Sequence, residues 1–244
     1  MPIPTFTSPR TGTIPVVNAP VHAFFSVLSP AEQSNYCSIY ERFRLEVESR
    51  GDDIEYLRDI GVTATAGDVA RVKGMVLDTC DWEISCALRY STPTRIAEAA
   101  PYIERVIANF AIQKPGQVDV TPEMYLGVAL HKVPGQEDAA ISHFQAAYTA
   151  SPEIGMQPKT HLWSRACFSR LLRRIGRISE AEEQEDIIRS WLQWHPFGMP
   201  PSEFRATVED PEHEGRDYIL EHPEVENMFA GQIELGPGVF VVGL

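Results

Sequence analysis

The sequence has no long apolar run. Its best candidate, Ala23–Leu28, is far shorter than the ~20 residues that a membrane-spanning helix needs. The first twenty residues also lack a basic start followed by an apolar block, and prolines interrupt them at positions 2, 4, 9, 15 and 20. These absences argue against a membrane segment and a secretory signal, so we expect a protein without a membrane partner.

Cysteine is scarce as well. The four cysteines are Cys37, Cys80, Cys86 and Cys167, and none of them stands in a CxxC pair. Cys80 and Cys86 are six residues apart, which on one helix places them on different faces, too far apart for a disulfide. We therefore expect four reduced and largely buried thiols, as in a cytoplasmic protein.

Several catalytic signatures are missing. The sequence contains no HExxH, GxSxG, Walker or GxGxxG motif, so it lacks the common signals for zinc hydrolysis, serine hydrolysis, nucleotide phosphate binding and dinucleotide binding. The seven histidines do not combine with the cysteines in a metal-ligand spacing. We expect no cofactor and no tightly held metal.

Positive charge is low: 21 lysines and arginines stand against 34 aspartates and glutamates, a net charge of −13. Such a balance disfavours nucleic acid and anionic membranes as partners. The charge is unevenly spread, because residues 203–234 contain ten acidic residues and only Arg205 and Arg216, a net of −8. The rest of the chain therefore carries only −5, and it includes a concentrated basic patch.

Helical signals dominate the remaining sequence. Ser29, Pro30 and Glu32 have the spacing of a capping box with proline in the first turn, which predicts the start of a helix. Ser179 with Glu182 predicts a second capping box. The one segment with strand preference is the apolar run 239–242. The fold class that we predict is all-α, with one candidate terminal β-strand.

Composition divides the chain into four predicted parts. Residues 1–20 form an extended, proline-rich arm, and residues 21–116 form an N-terminal helical region. Residues 117–200 form helix pairs, and residues 201–244 form an acidic segment that packs back on the helices.

The stretch 121–196 shows a helix–turn–helix pattern written twice. In each repeat a glycine closes the first helix and an alanine five residues later lies in the second: Gly135 with Ala140, and Gly176 with Ala181. Small residues at these positions let paired helices approach closely. The predicted helices are 122–133, 137–151, 161–175 and 180–194.

This stretch resembles tetratricopeptide repeats, a family of helix-pair solenoids. The resemblance is carried by Gly135, Ala140, Phe144, Ala147 and Pro152 in the first repeat, and by Leu172 and the turn sequence GRISEA in the second. It implies a short solenoid of stacked antiparallel helix pairs, and it leaves the ligand open. The chain departs from the family pattern at Glu185, where an aromatic residue is usual.

The register of these repeats predicts a groove with basic and aromatic side chains. The residues that face it are Tyr125, Lys132, Trp163, Arg170 and Arg173, with Arg174 beside them. Arginine forks bind carboxylates or phosphates, and aromatic rings add a stacking surface. We therefore expect a non-catalytic interaction module that binds an acidic peptide or another anionic ligand. The alternative is a solvated face on which these arginines pair with nearby glutamates, among them Glu180 and Glu185.

The acidic segment is predicted to cover this groove. It carries the opposite charge and follows the repeats after a proline-broken linker at Pro196, Pro200 and Pro201. A short tether of this kind keeps two complementary surfaces at high effective concentration. We expect the segment to contact, or compete for, the surface of Trp163, Arg170 and Arg173.

A second hypothesis is an all-α enzyme. Asp52 and Asp53 in GDDIEYLRD, and Asp78 and Asp81 in LDTCDWE, place carboxylates on helices flanked by aromatic residues. The DD pair faintly resembles the first motif of terpene and prenyl synthases, in which aspartates hold Mg²⁺ against a diphosphate. Under this alternative the four aspartates are metal ligands and the substrate is an anionic small molecule.

Overall fold

The computed structural model describes residues 5–8, 12–15, 28–90, 94–155, 157–196, 198–210, 212, 216–230, 232–236 and 239–242. Within these residues the regular structure is almost entirely helical, which confirms the all-α class. The chain divides into two compact units, Met1–Leu130 and His131–Leu244, which are called the first and the second unit below. None of the described helices combines the length and the apolarity that crossing a membrane requires.

The first unit is built from five α-helices within its described residues. They are α1 (Pro30–Arg50), α2 (Ile54–Asp59), α3 (Val69–Arg89), α4 (Ala100–Gln113) and α5 (Val120–Leu130), and a 3₁₀ helix, Ile96–Ala99, precedes α4. Helix α3 packs against both α1 and α4, and α4 packs against α5. The core between them contains fully buried apolar side chains: Tyr36, Val47, Leu57, Ile84, Ile103 and Leu126.

Two sequence signals shape the helices of the first unit: the predicted capping box of Ser29 and Glu32, and Pro101. Ser29 caps α1, its hydroxyl accepting from the Glu32 backbone while the Glu32 carboxylate accepts from the Ser29 backbone at 2.8 Å. The chain breaks from 3₁₀ to α geometry at Ala100, just before Pro101, because proline cannot donate the hydrogen bond that a continuous helix needs.

The second unit contains a further five described α-helices. They are α6 (Glu137–Ala150), α7 (Pro158–Arg174), α8 (Ile178–Trp194), α9 (Pro201–Val208) and α10 (Pro223–Phe229). Helices α7 and α8 form a helical hairpin, and α9 packs against α7 and α10 against α8. Phe144 of α6 stacks on Phe168 of α7 with ring centroids 4.8 Å apart.

The acidic segment contributes apolar residues to the core of this unit. Phe204, Val208, Ile219 and Val225 are all buried, and they pack in one cluster with Leu162, Ile188 and Leu192 of α7 and α8. The segment is therefore held by apolar burial in addition to its charges, at a typical gain of about 1.5–3 kcal/mol per buried aliphatic side chain.

Strands occur only as two short ribbons among the described residues. Strands β1 (Thr5–Ser8) and β2 (Gly12–Pro15) pair antiparallel where we expected an extended arm. The rest of the arm lies outside the described residues. Strand β4 (Val239–Val242), in the segment with strand preference, pairs antiparallel with β3 (Gln232–Gly236).

The repeat signals agree with the structure in part. Gly135 and Gly176 adopt left-handed φ angles of 78° and 83°, and Ala140 and Ala181 are fully buried. The four predicted helices exist, with bounds that shift by at most three residues. The division into compact units falls after Leu130, within the first predicted pair and not after residue 116, because α5 packs against α4 in the first unit.

The second predicted capping box is wrong. Helix α8 begins at Ile178, so Ser179 lies inside it, and its N-cap residue Arg177 makes no side-chain cap bond. The first turn instead contains a close ion pair between Arg177 and Glu180. A carboxylate near a helix N-terminus is favourable in itself, which replaces part of the missing cap.

We predict that Ala140→Trp destabilises the second unit by more than about 1–3 kcal/mol, because a fully buried alanine leaves no room for an indole ring. The matched control is Ala150→Trp, the same change at the exposed end of the same helix. Urea unfolding followed by far-ultraviolet circular dichroism measures both. Equal stability of the two variants would show that Ala140 is not a packing contact.

Candidate functional site

A cleft of about 850 Å³ opens on the second unit. Arginines of α7 line one side of it, and Asp210, Glu212 and residues 216–219 of the acidic segment line the other. Arg170, Arg173 and Arg174 occupy positions i, i+3 and i+4 of α7, which places them on one face of the helix. The last turn of α7 is therefore a basic wall facing an acidic one.

Arg170 joins the two walls. Its Nη2 donates to Asp217 Oδ2 at 2.5 Å and to the main-chain oxygen of Val208. Only 11% of the Arg170 side chain and 15% of the Asp217 side chain are exposed, so water screens this pair little. The Nε of Arg170 is buried and has no hydrogen-bond partner among the described residues.

Arg173 is held from within the helical hairpin. Its Nε and Nη2 donate to the two carboxylate oxygens of Glu185 at 2.6 and 2.7 Å, and Ser169 donates to Oε1 at 3.1 Å. The hydrogen bonds to Glu185 raise the pKa of Arg173. The guanidinium also lies 3.8 Å from the ring centroid of Tyr218 in the acidic segment. The buried carboxylate of Glu185 thus neutralises a neighbouring arginine.

Lys132 contacts two carboxylates of the acidic segment. Its Nζ lies 3.0 Å from Asp210 Oδ2 and 3.0 Å from Glu212 Oε2. Burial favours the neutral form of Asp210, but the hydrogen bond from Lys132 opposes it and the pKa of Asp210 is lowered overall. Since Glu212 is 70% exposed, its bond to Lys132 is the weaker one.

Among the cations that line the cleft, Arg174 makes the fewest hydrogen bonds and ion pairs with described residues. Its Nη2 donates to the main-chain oxygen of His131, and within the described residues no carboxylate lies within ion-pair distance of it. The side chain is exposed. Of the predicted groove residues, Lys132, Arg170, Arg173 and Arg174 therefore line one cleft.

The two predicted aromatic residues do not line this cleft. Tyr125 is buried in the first unit, where the Arg89 guanidinium lies 3.5 Å from its ring centroid. Trp163 stands two helical turns before Arg170, about 10 Å along α7, and the cleft does not reach it. Tyr218, which comes from the acidic segment, is the aromatic residue of the cleft.

The four aspartates of the enzyme hypothesis have separate roles. Asp81 is buried and binds Arg44 at 2.9 Å and Arg105 at 2.7 Å. The other three are spread over the first unit: Asp52 pairs with Lys73, Asp53 caps α2, and Asp78 accepts from Gln113. The part of the chain that the structure describes contains no group of three or more histidine, cysteine, aspartate or glutamate side chains that could hold a metal.

The individual residues of the acidic wall were not identified from the sequence. Asp210, Glu212 and Asp217 were visible only as part of a strongly negative segment. The basic wall has a local signal, because arginines at i, i+3 and i+4 share a helix face wherever the helix packs. The acidic wall has none, because its residues lie in turns whose position depends on the tertiary fold.

Comparison with known proteins adds no relative to this picture. The chain matches no family model, no curated protein and no solved structure.

We predict that Glu185→Gln lowers the free energy of unfolding by about 1.5–3 kcal/mol, because it removes the charge that the Arg173 guanidinium and the Ser169 hydroxyl share. Glu182→Gln, on the exposed face of the same helix, is the control and should change stability by less than about 0.5 kcal/mol. Urea unfolding of both variants tests this. A Glu185→Gln protein as stable as the control would mean that the buried ion pair contributes nothing.

Proposed function

We propose that the second unit is a non-catalytic interaction module that binds an acidic peptide at the cleft beside α7. The observation that supports this most directly is that the cleft already binds carboxylates of its own chain. Asp217 lies on Arg170, and Asp210 and Glu212 lie on Lys132. A peptide that carries aspartates or glutamates offers the same groups to the same donors.

The charges of the lining suggest how such a peptide binds. Among the described residues, five cations line the cleft: Lys132, Arg170, Arg173, Arg174 and Arg216. Five described carboxylates line it too: Glu137, Glu185, Asp210, Glu212 and Asp217. Since these charges cancel, an acidic peptide gains little from long-range attraction. It gains free energy by accepting hydrogen bonds from donors that have few partners, chiefly Arg174. It also gains free energy by displacing exposed carboxylates of the chain such as Glu212.

The walls of the cleft differ in rigidity under this proposal. The Arg173–Glu185 pair is buried and doubly hydrogen-bonded, so it positions Tyr218 and does not exchange. Lys132 and Arg174 are more exposed, and their present partners cost little to replace. We infer that these two residues make the first contacts with a ligand carboxylate.

We further propose that α6, α7 and α8 are tetratricopeptide-like in their packing. The buried Ala140 and Ala181, the left-handed Gly135 and Gly176, and the Phe144–Phe168 stack support this likeness. Tetratricopeptide repeats present helix faces to extended peptides, which is consistent with a peptide as the ligand. The Mg²⁺-dependent enzyme hypothesis has no comparable support, because its aspartates are engaged separately.

The proposal predicts that a hexaglutamate peptide binds the full chain and that Arg174→Gln weakens this binding about three- to fivefold, the range of an exposed charge pair. The matched control is Arg58→Gln, which removes one exposed positive charge from the first unit. Isothermal titration calorimetry at 50 mM and 500 mM salt measures the dissociation constants. Equal effects of the two variants would show that only net charge matters and would contradict a binding site at the cleft.

A second variant tests the competition inside the cleft. Glu212→Gln releases Lys132 from its exposed partner, so hexaglutamate should bind about two- to fivefold more tightly. Glu209→Gln removes the same charge from an exposed residue that does not line the cleft, and it serves as the control. If both variants bind the peptide equally, the internal carboxylates do not compete with it.

A further inference from the structure

A second pocket lies in the first unit. It has a volume of about 340 Å³, and its lining comes from α3, α4 and the start of α5. Its walls are apolar and aromatic, formed mainly by Trp82, Val106, Phe110 and Pro122, with Asp78 and Asp119 among them. This volume lies at the lower end of the range for small-molecule sites.

The two carboxylates of this pocket form no ion pair with a cation among the described residues. Asp78 Oδ2 accepts from the amide of Gln113 at 3.2 Å, and Asp119 accepts from the Thr121 main chain. Asp81, one helical turn from Asp78, is different because it holds two guanidiniums. The fold thus neutralises the buried aspartate beside the pocket and leaves the two aspartates in the pocket hydrogen-bonded to neutral donors.

The electrostatics of this pocket favour a positively charged ligand. Burial raises the pKa of Asp78, and the nearby charges of Asp81 and Asp119 add to the effect. Burial likewise raises the pKa of Asp119, although the hydrogen bond from the Thr121 main chain and the charge of Lys114 oppose it. Both carboxylates are therefore held in surroundings that disfavour their ionised form. A bound cation would stabilise the ionised form of both carboxylates.

The aromatic wall already attracts an ammonium group. The Nζ of Lys114 lies 5.2 Å from the ring centroid of Phe110, within cation–π distance. Lys114 itself does not line the pocket, and no carboxylate among the described residues lies within ion-pair distance of it. One face of Phe110 is thus occupied by an ammonium from the chain, while the pocket offers further aromatic surface next to two carboxylates.

We propose that this pocket binds a short primary alkylammonium ligand. The ammonium group donates hydrogen bonds to Asp78 and Asp119, and the aliphatic chain lies against Trp82 and Phe110. A primary ammonium has three donors and can serve both carboxylates, whereas a quaternary ammonium has none. Because Mg²⁺ keeps several waters and needs only one or two carboxylates, competition with this metal is part of the test below.

The test is a calorimetric titration of the full chain with 1-butylammonium at pH 7. The neutral isostere 1-butanol, which has the same shape without the charge, is the matched probe. We expect saturable 1:1 binding of butylammonium and at least tenfold weaker binding of butanol. Equal binding of the two probes would overturn the proposal, because it would show an apolar pocket without charge recognition.

Three variants locate the site. Asp78→Asn and Asp119→Asn should each weaken butylammonium binding about tenfold or more, the effect of losing a hydrogen bond to a charged group. Asp59→Asn, at an exposed aspartate of the same unit, should leave the dissociation constant unchanged. If the first two variants bind as tightly as the unmodified chain, the carboxylates do not form the site and the proposal fails.

Thermal unfolding and metal competition separate a direct contact from a folding defect and from a metal site. The raised pKa of Asp78 means that ionisation above about pH 4 destabilises the folded state, so Asp78→Asn should keep or raise the thermal midpoint at pH 7. A loss of binding together with a kept midpoint supports a direct contact. If millimolar Mg²⁺ displaces butylammonium, the carboxylates form a metal site instead and the proposal is overturned.

Discussion

The second unit depends on the need to neutralise arginines where they are partly buried. A guanidinium removed from water needs acceptors for its hydrogen bonds, or its burial costs several kcal/mol, and a carboxylate acceptor also neutralises its charge. Helix α7 places Arg170 and Arg173 in such surroundings. Asp217 of the acidic segment pairs with Arg170, and Glu185 of α8 pairs with Arg173. The position of the acidic segment follows from the Arg170–Asp217 pair together with the buried apolar residues of the segment.

The same constraint connects the fold to the proposed function. A surface that pairs its arginines internally is already shaped for carboxylates, because the donors have fixed geometry before any ligand arrives. Under this proposal the partly buried Arg173 supplies rigidity, and the exposed Lys132 and Arg174 supply exchangeable contacts. The internal acidic residues then set how much free energy an external peptide can gain on binding. Binding of the peptide and docking of the acidic segment therefore depend on the same set of charges.

The first unit shows the opposite arrangement. Asp81 is satisfied by two arginines, whereas Asp78 is left beside an aromatic pocket with only amide donors. Carboxylates with raised pKa values cluster at functional sites, where binding or chemistry offsets the stability that their ionised form costs. This contrast between two aspartates one turn apart is the basis for assigning the pocket a cationic ligand.

The sequence predicts the local features of the fold well and the long-range pairings poorly. The capping box of Ser29 and Glu32, the break before Pro101 and the turn glycines depend on neighbouring residues, so short patterns identify them. Basic residues on one face of α7 are predictable for the same reason. Tyr125 was misplaced because its partner, Arg89, lies in another helix, and no periodic pattern encodes that contact. The acidic wall of the cleft is likewise set by tertiary packing.

The central claim is that Arg170 and Asp217 are energetically coupled and hold the acidic segment against α7. A double-mutant cycle with Arg170→Met, Asp217→Asn and the combined variant measures this coupling in urea unfolding. Tryptophan fluorescence is the probe, since three of the four tryptophans, Trp163, Trp191 and Trp194, lie in the second unit. Charge pairs at this burial predict a coupling free energy of about 1–3 kcal/mol. Additive effects, within about 0.3–0.5 kcal/mol, would contradict the account.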